Sequence, residues 1–407
     1  WDLQKPQTGA VSQAYPPETR GGFPLAFSPN LSLVAIYTRA GGSVPNGGFQ
    51  IVVQDLARQR EVARFQTIGG SAVTGGQFAG YGNLFLEASS NRIAMWDTLT
   101  AKSITPMPKL TNGSRLTAAT CSPDGRLIAW AETIPPTAVM LRMQEGGTKD
   151  RPRALLPASA ISPDQSTAAQ ALIRVYDVLA DMEVARFSAH HGQVFALSMN
   201  LDGKQPMLVS GSQDTTILLW DLKPVMEKLR TNTPSLDPQQ IEAHWTELGS
   251  PDPGRVQRAV WKLATAQSES LAILQERIKP VPVDEQTSNQ IAQLVLQMDD
   301  DQFTLREQAS EQAAALGENA EPFLREALQT SESAEVRYRI RQLLDQFAAK
   351  PLVVPVDQLR AIRAVQILQQ VNSPEARELL KELSTGAPEA RLTQAAVAAL
   401  ESLPAEK

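Results

Sequence analysis

The sequence predicts a chain built in two parts, β first and α second: a partial ring of small antiparallel sheets, then an array of short helices. Three observations predict it. Strand-like runs end again and again in a similar two-residue signature closed by Asp. A turn marker recurs at intervals of about 40 residues, the period of propeller blades. Near Leu222 the composition switches, from Gly-rich stretches with short β-branched runs to a region dominated by Ala, Leu, Gln, Glu and Arg. Strands followed by helices, without alternation, imply separate units rather than one mixed sheet. The expected boundaries are 1–222 for the sheets, 223–236 for a linker and 237–407 for the helices.

The strand endings are Ile51-Val52-Val53-Gln54-Asp55, Ile93-Ala94-Met95-Trp96-Asp97, Ile173-Arg174-Val175-Tyr176-Asp177 and Ile217-Leu218-Leu219-Trp220-Asp221, and Trp1-Asp2-Leu3 reads as the same ending from a preceding unit. The turn marker precedes them as Phe27-Ser28-Pro29-Asn30, Cys121-Ser122-Pro123-Asp124-Gly125, Ile161-Ser162-Pro163-Asp164 and Met199-Asn200-Leu201-Asp202-Gly203. The pentapeptide Glu-Val-Ala-Arg-Phe occurs at 61–65 and again at 183–187, in the same phase relative to the preceding Asp. Counted this way the first part holds about five blades plus the end of a sixth. The second is degenerate, with Phe78-Ala79-Gly80-Tyr81 in place of the Ser-Pro-Asp marker, and the third uses Ala138-Val139-Met140-Leu141-Arg142 where the others have a strand ending in Asp. No outer strand of the Glu-Val-Ala-Arg-Phe kind follows Asp221, so the last sheet is expected to end on an unpaired edge.

The unit from Ala189-His190-His191-Gly192 to Leu208-Val209-Ser210-Gly211-Ser212-Gln213-Asp214 and Trp220-Asp221 resembles a WD repeat, with Ala189-His190 where that family has Gly-His. The resemblance implies a hydrogen-bonded structural tetrad of His190, Ser210, Asp214 and Trp220. Elementary chemistry agrees, because a buried His, a buried Asp and an indole N–H each need a partner. Gln54, Arg142 and Tyr176 replace Trp elsewhere and no other blade has a clear His, so those blades are expected to hold by apolar packing alone.

Helix signals begin at Asp237-Pro238 and recur at Ser373-Pro374-Glu375, an N-cap followed by Pro in the first turn. Apolar residues then fall at helical spacing, as in Val336/Ile340/Leu343/Leu344/Phe347 and Leu392/Ala396/Ala399/Leu400/Leu403. Gly249, Gly317 and Gly386 stand where helices should stop. About ten short helices are expected, in antiparallel pairs stacked as in HEAT repeats, with joints at 278–283 and 350–355. The whole chain resembles bacterial WD-repeat proteins with a helical C-terminal extension, and Leu305-Arg306-Glu307 and Glu389-Ala390-Arg391-Leu392 share in that resemblance. Its start at Trp1, with no initiator Met, reads as a fragment, which leaves the compartment open with the cytoplasm ahead of an exported form.

Composition narrows the function classes. The formal net charge is −6, which argues against nucleic acid as the main partner. One cysteine, Cys121, and three histidines supply neither a disulfide nor a usual zinc ligand set. No apolar run reaches the ~20 residues of a membrane span.

Isolated residues that invite sharper readings have plainer ones. His190 is a tetrad residue rather than a metal ligand or base, with His191 its exposed neighbour, and His244 lies on a helix face. Residues 69–76 are Gly-rich but lack the Lys-Ser/Thr of a phosphate-binding loop. Ser210-Gly211-Ser212 does not match Gly-x-Ser-x-Gly. Asp299-Asp300-Asp301 lacks the ligand spacing of a calcium loop and reads as helix capping. Arg337, Arg339 and Arg341 sit among Glu332, Glu335 and Asp345, as on a solvated helix face. Cys121 occupies an apolar strand position and should be an inert buried thiol.

What remains is two long connections between strands, at 39–49 and 131–136. Their residues Arg39, Val44, Asn46, Phe49, Glu132 and Ile134 are the expected contacts for a protein partner, since extended loops on one rim of a rigid scaffold carry recognition. Nothing assembles a nucleophile, a base and an oxyanion hole, and no cofactor motif is present. The expected function is therefore non-catalytic scaffolding or regulation through protein partners. The alternative is an enzyme or small-molecule binder that works through the propeller channel or a domain further upstream.

Overall fold

The computed structural model describes residues 22–39, 48–56, 60–67, 73–134, 170–188, 190–201, 205–231, 236–282, 285–317, 320–349, 354–388 and 390–403. The β part forms four antiparallel sheets. The first holds β1 (Phe23–Phe27), β2 (Leu33–Arg39), β3 (Phe49–Asp55) and β4 (Arg60–Gln66). The second holds β5 (Val73–Ala79), β6 (Leu84–Ser89), β7 (Arg92–Asp97) and β8 (Lys102–Ile104). The third holds β9 (Arg115–Cys121), β10 (Leu127–Ile134), β11 (Gln170–Asp177) and β12 (Met182–Phe187), and the fourth only β13 (Val194–Asn200), β14 (Met207–Ser212) and β15 (Ile217–Asp221). Strands neighbour one another in chain order throughout, as in propeller blades.

This arrangement corrects the blade count. Among the described residues there are four sheets where five were expected, and the end of a sixth read at Trp1–Leu3 lies outside the described residues. The difference arises in the third, where β10 pairs directly with β11, Leu127 opposite Asp177 and Ile134 opposite Gln170. The Cys121-Ser122-Pro123-Asp124 marker and the Tyr176-Asp177 ending, assigned from sequence to successive blades, thus belong to one sheet. The supposed strand 138–142 and the marker 161–164 fall outside the described residues.

Strands β2, β3, β6, β7 and β10 are buried along most of their length, where neighbouring sheets pack against one another. Ala35, Tyr37, Ile51 and Val53 of the first sheet share a core with Phe78, Phe85 and Trp96 of the second. Leu86, Ile93 and Met95 of the second meet Cys121, Ile128 and Trp130 of the third. Ala129, Ile173 and Val175 of the third meet Val194, Met199 and Leu208 of the fourth. The fourth sheet's equivalent outward face is bare. Ile217 and Leu219 are 74% and 66% exposed, whereas Ile173 and Val175, at the same positions of β11, are 1% and 0% exposed. Strand β15 also lies at the edge of its sheet, without an outer partner among the described residues.

The turn between the first and second strands is built by the Ser-Pro-Asx marker. Ser122 Oγ accepts from Leu127 N (2.9 Å), and Asp124 Oδ1 accepts from Arg126 N (3.1 Å). Gly125 has φ +73°, and a Cβ there would meet Leu84 Cδ1 at 2.6 Å. In the first sheet Ser28 Oγ accepts from Leu33 N (2.9 Å), but Leu31, not glycine, takes the left-handed position.

Eleven helices follow among the described residues. The first, α1 (Lys223–Thr231), fills most of the expected linker and is no free tether. Leu222 and Val225 are buried in the core between the third and fourth sheets, with Met226 and Leu229 packed beside them. Then come α2 (Pro238–Glu247), α3 (Pro253–Thr265), α4 (Gln267–Arg277), α5 (Glu285–Gln297), α6 (Phe303–Leu316), α7 (Glu321–Thr330), α8 (Ala334–Ala349), α9 (Val356–Val371), α10 (Pro374–Ser384) and α11 (Arg391–Ser402). Asp237 and Gln240 form a reciprocal capping box, Ser373 caps α10 through Ala376 N, and Gly317 with φ +61° ends α6. The triple-Asp segment does not cap α6 directly. Its N-cap is Gln302, whose N–H is held by Asp300 Oδ1 (2.8 Å).

The helices form two cores. Ile241, Val256 and Leu274 from α2–α4 share one with Ile367, Leu380 and Ala396 from α9–α11. Ile291, Ala313, Leu324 and Ile340 from α5–α8 make the second. A strictly linear stack of pairs would not bring α3 against α9. The chain leaves the first core near Ile278, builds the second, and returns at α9, so the joints read from sequence mark the ends of an inserted helical unit.

Candidate functional site

The best-formed polar constellation lies at the turn from β14 to β15. It exists because β13, β14 and β15 bring Ser210 beside Trp220 and place the Asp214 turn against the segment preceding β13. Trp220 Nε1 donates to Ser210 Oγ (2.8 Å), and Ser210 Oγ lies 2.7 Å from His190 Nε2. His190 Nδ1 lies 2.9 Å from Thr216 Oγ1, and Thr216 Oγ1 donates to Asp214 Oδ1 (2.6 Å). The donors assign a direction. An indole N–H can only donate, so Ser210 accepts from Trp220; Thr216 gives its proton to the Asp214 carboxylate and so accepts from the Nδ1–H of His190.

The four residues named from sequence therefore meet, but through a fifth that sequence reading missed. Asp214 Oδ2 is 3.4 Å from His190 Nδ1, while Thr216 makes the closer contact. The missed signal was the hydroxyl two residues after Asp214, which an Asp at a tight turn can hold. Asp214 also accepts from the N–H groups of Thr216 (3.0 Å) and His191 (2.7 Å). The Thr216 hydroxyl above all, joined by these backbone donors, holds its carboxyl well below the usual range despite the opposing effect of desolvation. All of these groups are engaged with one another, so the arrangement fixes a turn and offers no reactive atom.

Two other sheets replace the tetrad with polar substitutes, correcting the expectation of apolar packing alone. In the second, Glu87 stands where Ser210 does, and its Oε2 accepts from Trp96 Nε1 (2.8 Å). Burial pushes the Glu87 carboxyl up, although the Trp96 hydrogen bond and Arg92 oppose the shift. In the third, the Arg174 guanidinium lies over the Trp130 ring (4.9 Å) between Glu132 and Glu183.

Glu132 is thereby corrected as a contact residue. The sequence put it in a loop, but β10 continues to Ile134 and the Glu132 side chain is fully buried. It accepts from Thr111 N (2.9 Å), Thr111 Oγ1 (2.8 Å), Ser114 Oγ and Arg174 Nη1 (3.2 Å). Burial alone would raise its carboxyl; these hydrogen bonds outweigh it and lower it. Ile134 ends the strand half-buried. Arg39 is exposed at the end of β2, with its guanidinium 6.0 Å from the Phe49 ring, and Phe49 stacks on Tyr37 (4.9 Å). Val44 and Asn46 lie outside the described residues.

Arg339 departs from the solvated face expected of it. It is buried, bonded to Glu335 (2.7 Å), Glu307 (3.1 Å) and Ser310 (3.2 Å). His244 pairs with Glu247 (2.8 Å) along α2. Cys121 is fully buried, and desolvation drives its thiol upward, away from the thiolate. Among the described residues no group of three His, Cys, Asp or Glu is placed to hold a metal, and no helix is long and apolar enough to cross a membrane.

The helical part is docked on one end of the sheets, where the first-to-second and third-to-fourth strand turns lie. Arg363 of α9, buried, reaches Asp97 (3.2 Å) and the Leu248 carbonyl. Arg60 pairs with Glu321 of α7 (3.4 Å), and Trp261 Nε1 of α3 donates to the Asp124 carbonyl (3.0 Å). The opposite end holds the strand ends Arg39 and Phe49, Ile134 and Gln170, and the Asp214 turn.

The WD domain, G-beta repeat family matches residues 182–221. No curated protein matches the chain. Among solved structures, Kuenenia stuttgartiensis hydrazine synthase aligns at 18% identity and a TM-score of 0.35, over 51% of this chain and 54% of that one. The Cps50 (Swd1) β-propeller domain of Myceliophteria thermophila aligns at 12% identity and a TM-score of 0.33, over 52% of this chain and 54% of that one. The chain thus spans about half the length of each of these structures. Residues 182–221 thus match a WD repeat, within a first part of four antiparallel sheets ordered like propeller blades and followed by helices.

Proposed function

We propose that this protein is a non-catalytic scaffold that binds protein partners through the end of the propeller opposite the helices. One observation carries the reading: the helical domain covers one end of the blades through Arg363, Arg60 and Trp261, while the strand ends at Arg39, Phe49 and Ile134 and the Asp214 turn lie at the other. Rigid sheets that present extended loops are suited to recognition, and WD repeats serve chiefly as interaction platforms. The helices act here as a HEAT-like brace, two packed cores that hold the blades in a fixed orientation. The net charge of −6 favours a protein partner over nucleic acid.

Affinity capture with the chain, followed by cross-linking mass spectrometry, tests this. A stoichiometric protein partner cross-linked at 39–49 or near the Asp214 turn is expected, and deleting residues 41–48 should weaken it at least tenfold. A retained metabolite without a protein partner, or a partner unaffected by the deletion, overturns the reading.

A further inference from the structure

A cleft of about 460 Å³ opens where the first two blades meet α7, α9 and α11. Domain junctions are preferred places for binding sites, and this volume falls in the usual range for them. Its helical wall is a face of small residues, Ala395, Ala398 and Ala399, beside Ile362 and Val365. Leu33, Val62 and Leu99 form the blade side. Between them stand amide groups the fold has not used. Gln369 is buried and its Nε2 donates to Ser402 Oγ (2.7 Å), but its Oε1 accepts nothing among the described residues. The half-buried Asn83 side chain makes no hydrogen bond there, and Asn30 uses only its oxygen, which accepts from Ser28, Ser32 N and Ser32 Oγ.

We infer that this cleft binds a short extended polypeptide segment with small apolar side chains, held through its backbone. Gln369 offers an acceptor, Asn30 a donor and Asn83 both, the kinds of group that the N–H and C=O of an extended backbone pair with. The alanine face suits small apolar side chains. Charge disfavours an anion: three acidic side chains, Asp55, Glu61 and Glu321, balance Arg60, Arg325 and Arg391 around the cleft. Glu321 is already shared by Arg60 and Arg325. The inference rests on the scaffold reading and adds to it a second contact point, on the opposite end of the blades from the rim.

The probe is a library of N-acetylated, C-amidated tetrapeptides passed over the immobilised full chain, alongside phosphorylated tetrapeptides. Uncharged sequences rich in Ala, Val and Ser should be retained. Retention should fall at least tenfold in Ala398→Trp, which fills the cleft, and several-fold in Asn83→Ala, which leaves its volume open. Thermal melts check that both variants fold, and Asn83→Ala decides alone if Ala398→Trp does not. No selective retention, equal retention by wild type and Asn83→Ala, or selection of acidic or phosphorylated peptides overturns the inference. Deleting residues 41–48 should leave tetrapeptide retention unchanged. Partner capture lost on that deletion, with no tetrapeptide ever retained, would remove the cleft and leave the scaffold reading standing.

Discussion

Ser210 shows how a single side chain closes a polar chain inside an otherwise apolar sheet. It accepts from Trp220 and hydrogen-bonds His190, so removing it leaves the buried His190 Nε2 and the partly buried Trp220 Nε1 without this partner. Ser210→Ala should destabilise the chain by about 1–3 kcal/mol, the desolvation penalty of groups left unpaired. Urea denaturation followed by tryptophan fluorescence measures it, and Ser210→Thr should recover most of the loss. Glu87, in the same position one sheet pair earlier, behaves differently because it can ionise. Its carboxyl is raised chiefly by burial, so the folded state prefers it neutral. The stabilisation this gives is full below the unfolded carboxyl range and is lost as pH rises through the folded value. Glu87→Gln, permanently neutral and still able to accept from Trp96, should be more stable than wild type at pH 8, with the gap closing towards pH 4. Chemical denaturation at both pH values checks the sign; a gap that widens on acidification would place Glu87 in its charged form in the fold.

At the scale of the element, β15 is the exposed strand of the last sheet. Its backbone edge is unpaired among the described residues, and its outward face carries Ile217 and Leu219. The same positions of β3 and β11 are buried against a following sheet. Such an edge promotes association with other strands. Leu219→Lys should lower self-association, read by sedimentation velocity across a concentration series, while changing stability by no more than about 0.5 kcal/mol as at other exposed sites. The sequence announced this edge, because no Glu-Val-Ala-Arg-Phe strand follows Asp221 as it follows Asp55 and Asp177. It was less clear about β10 and β11. The strand at 127–134 is apolar enough to belong to any blade, and only pairing shows that its partner lies beyond residue 169.

Taken as a whole, the two parts of the molecule are joined by the apolar packing of Leu222, Val225 and Trp261 against the sheets and by polar contacts. Arg363 is the clearest: a buried guanidinium on α9 meets Asp97, the last residue of a blade's third strand. In the third sheet the equivalent Asp177 is held within its own blade, by Arg126 at 3.1 and 2.9 Å. The second sheet has given that aspartate to the helical domain instead. Arg363→Ala leaves Asp97 buried without its counter-charge and should cost about 3–5 kcal/mol, the usual penalty for breaking a buried pair. Calorimetry should show one cooperative transition in wild type and two in the variant if this link couples the parts.

The sequence by itself determined the order of the parts, the strand endings, the helix caps and four of the five residues joined at the Asp214 turn. These depend on local periodicity and on hydrogen-bond groups that must find partners nearby. Tertiary structure decided the rest. It merged two apparent blades into one sheet, buried Glu132 and Arg339, inserted Thr216 into the polar chain, and folded α9–α11 back onto α2–α4. Each of these depends on a contact between residues distant in the chain or on the direction a side chain takes. A strand's composition states that it will pair and bury a face, but which strand it pairs with is settled only by the packing of the whole.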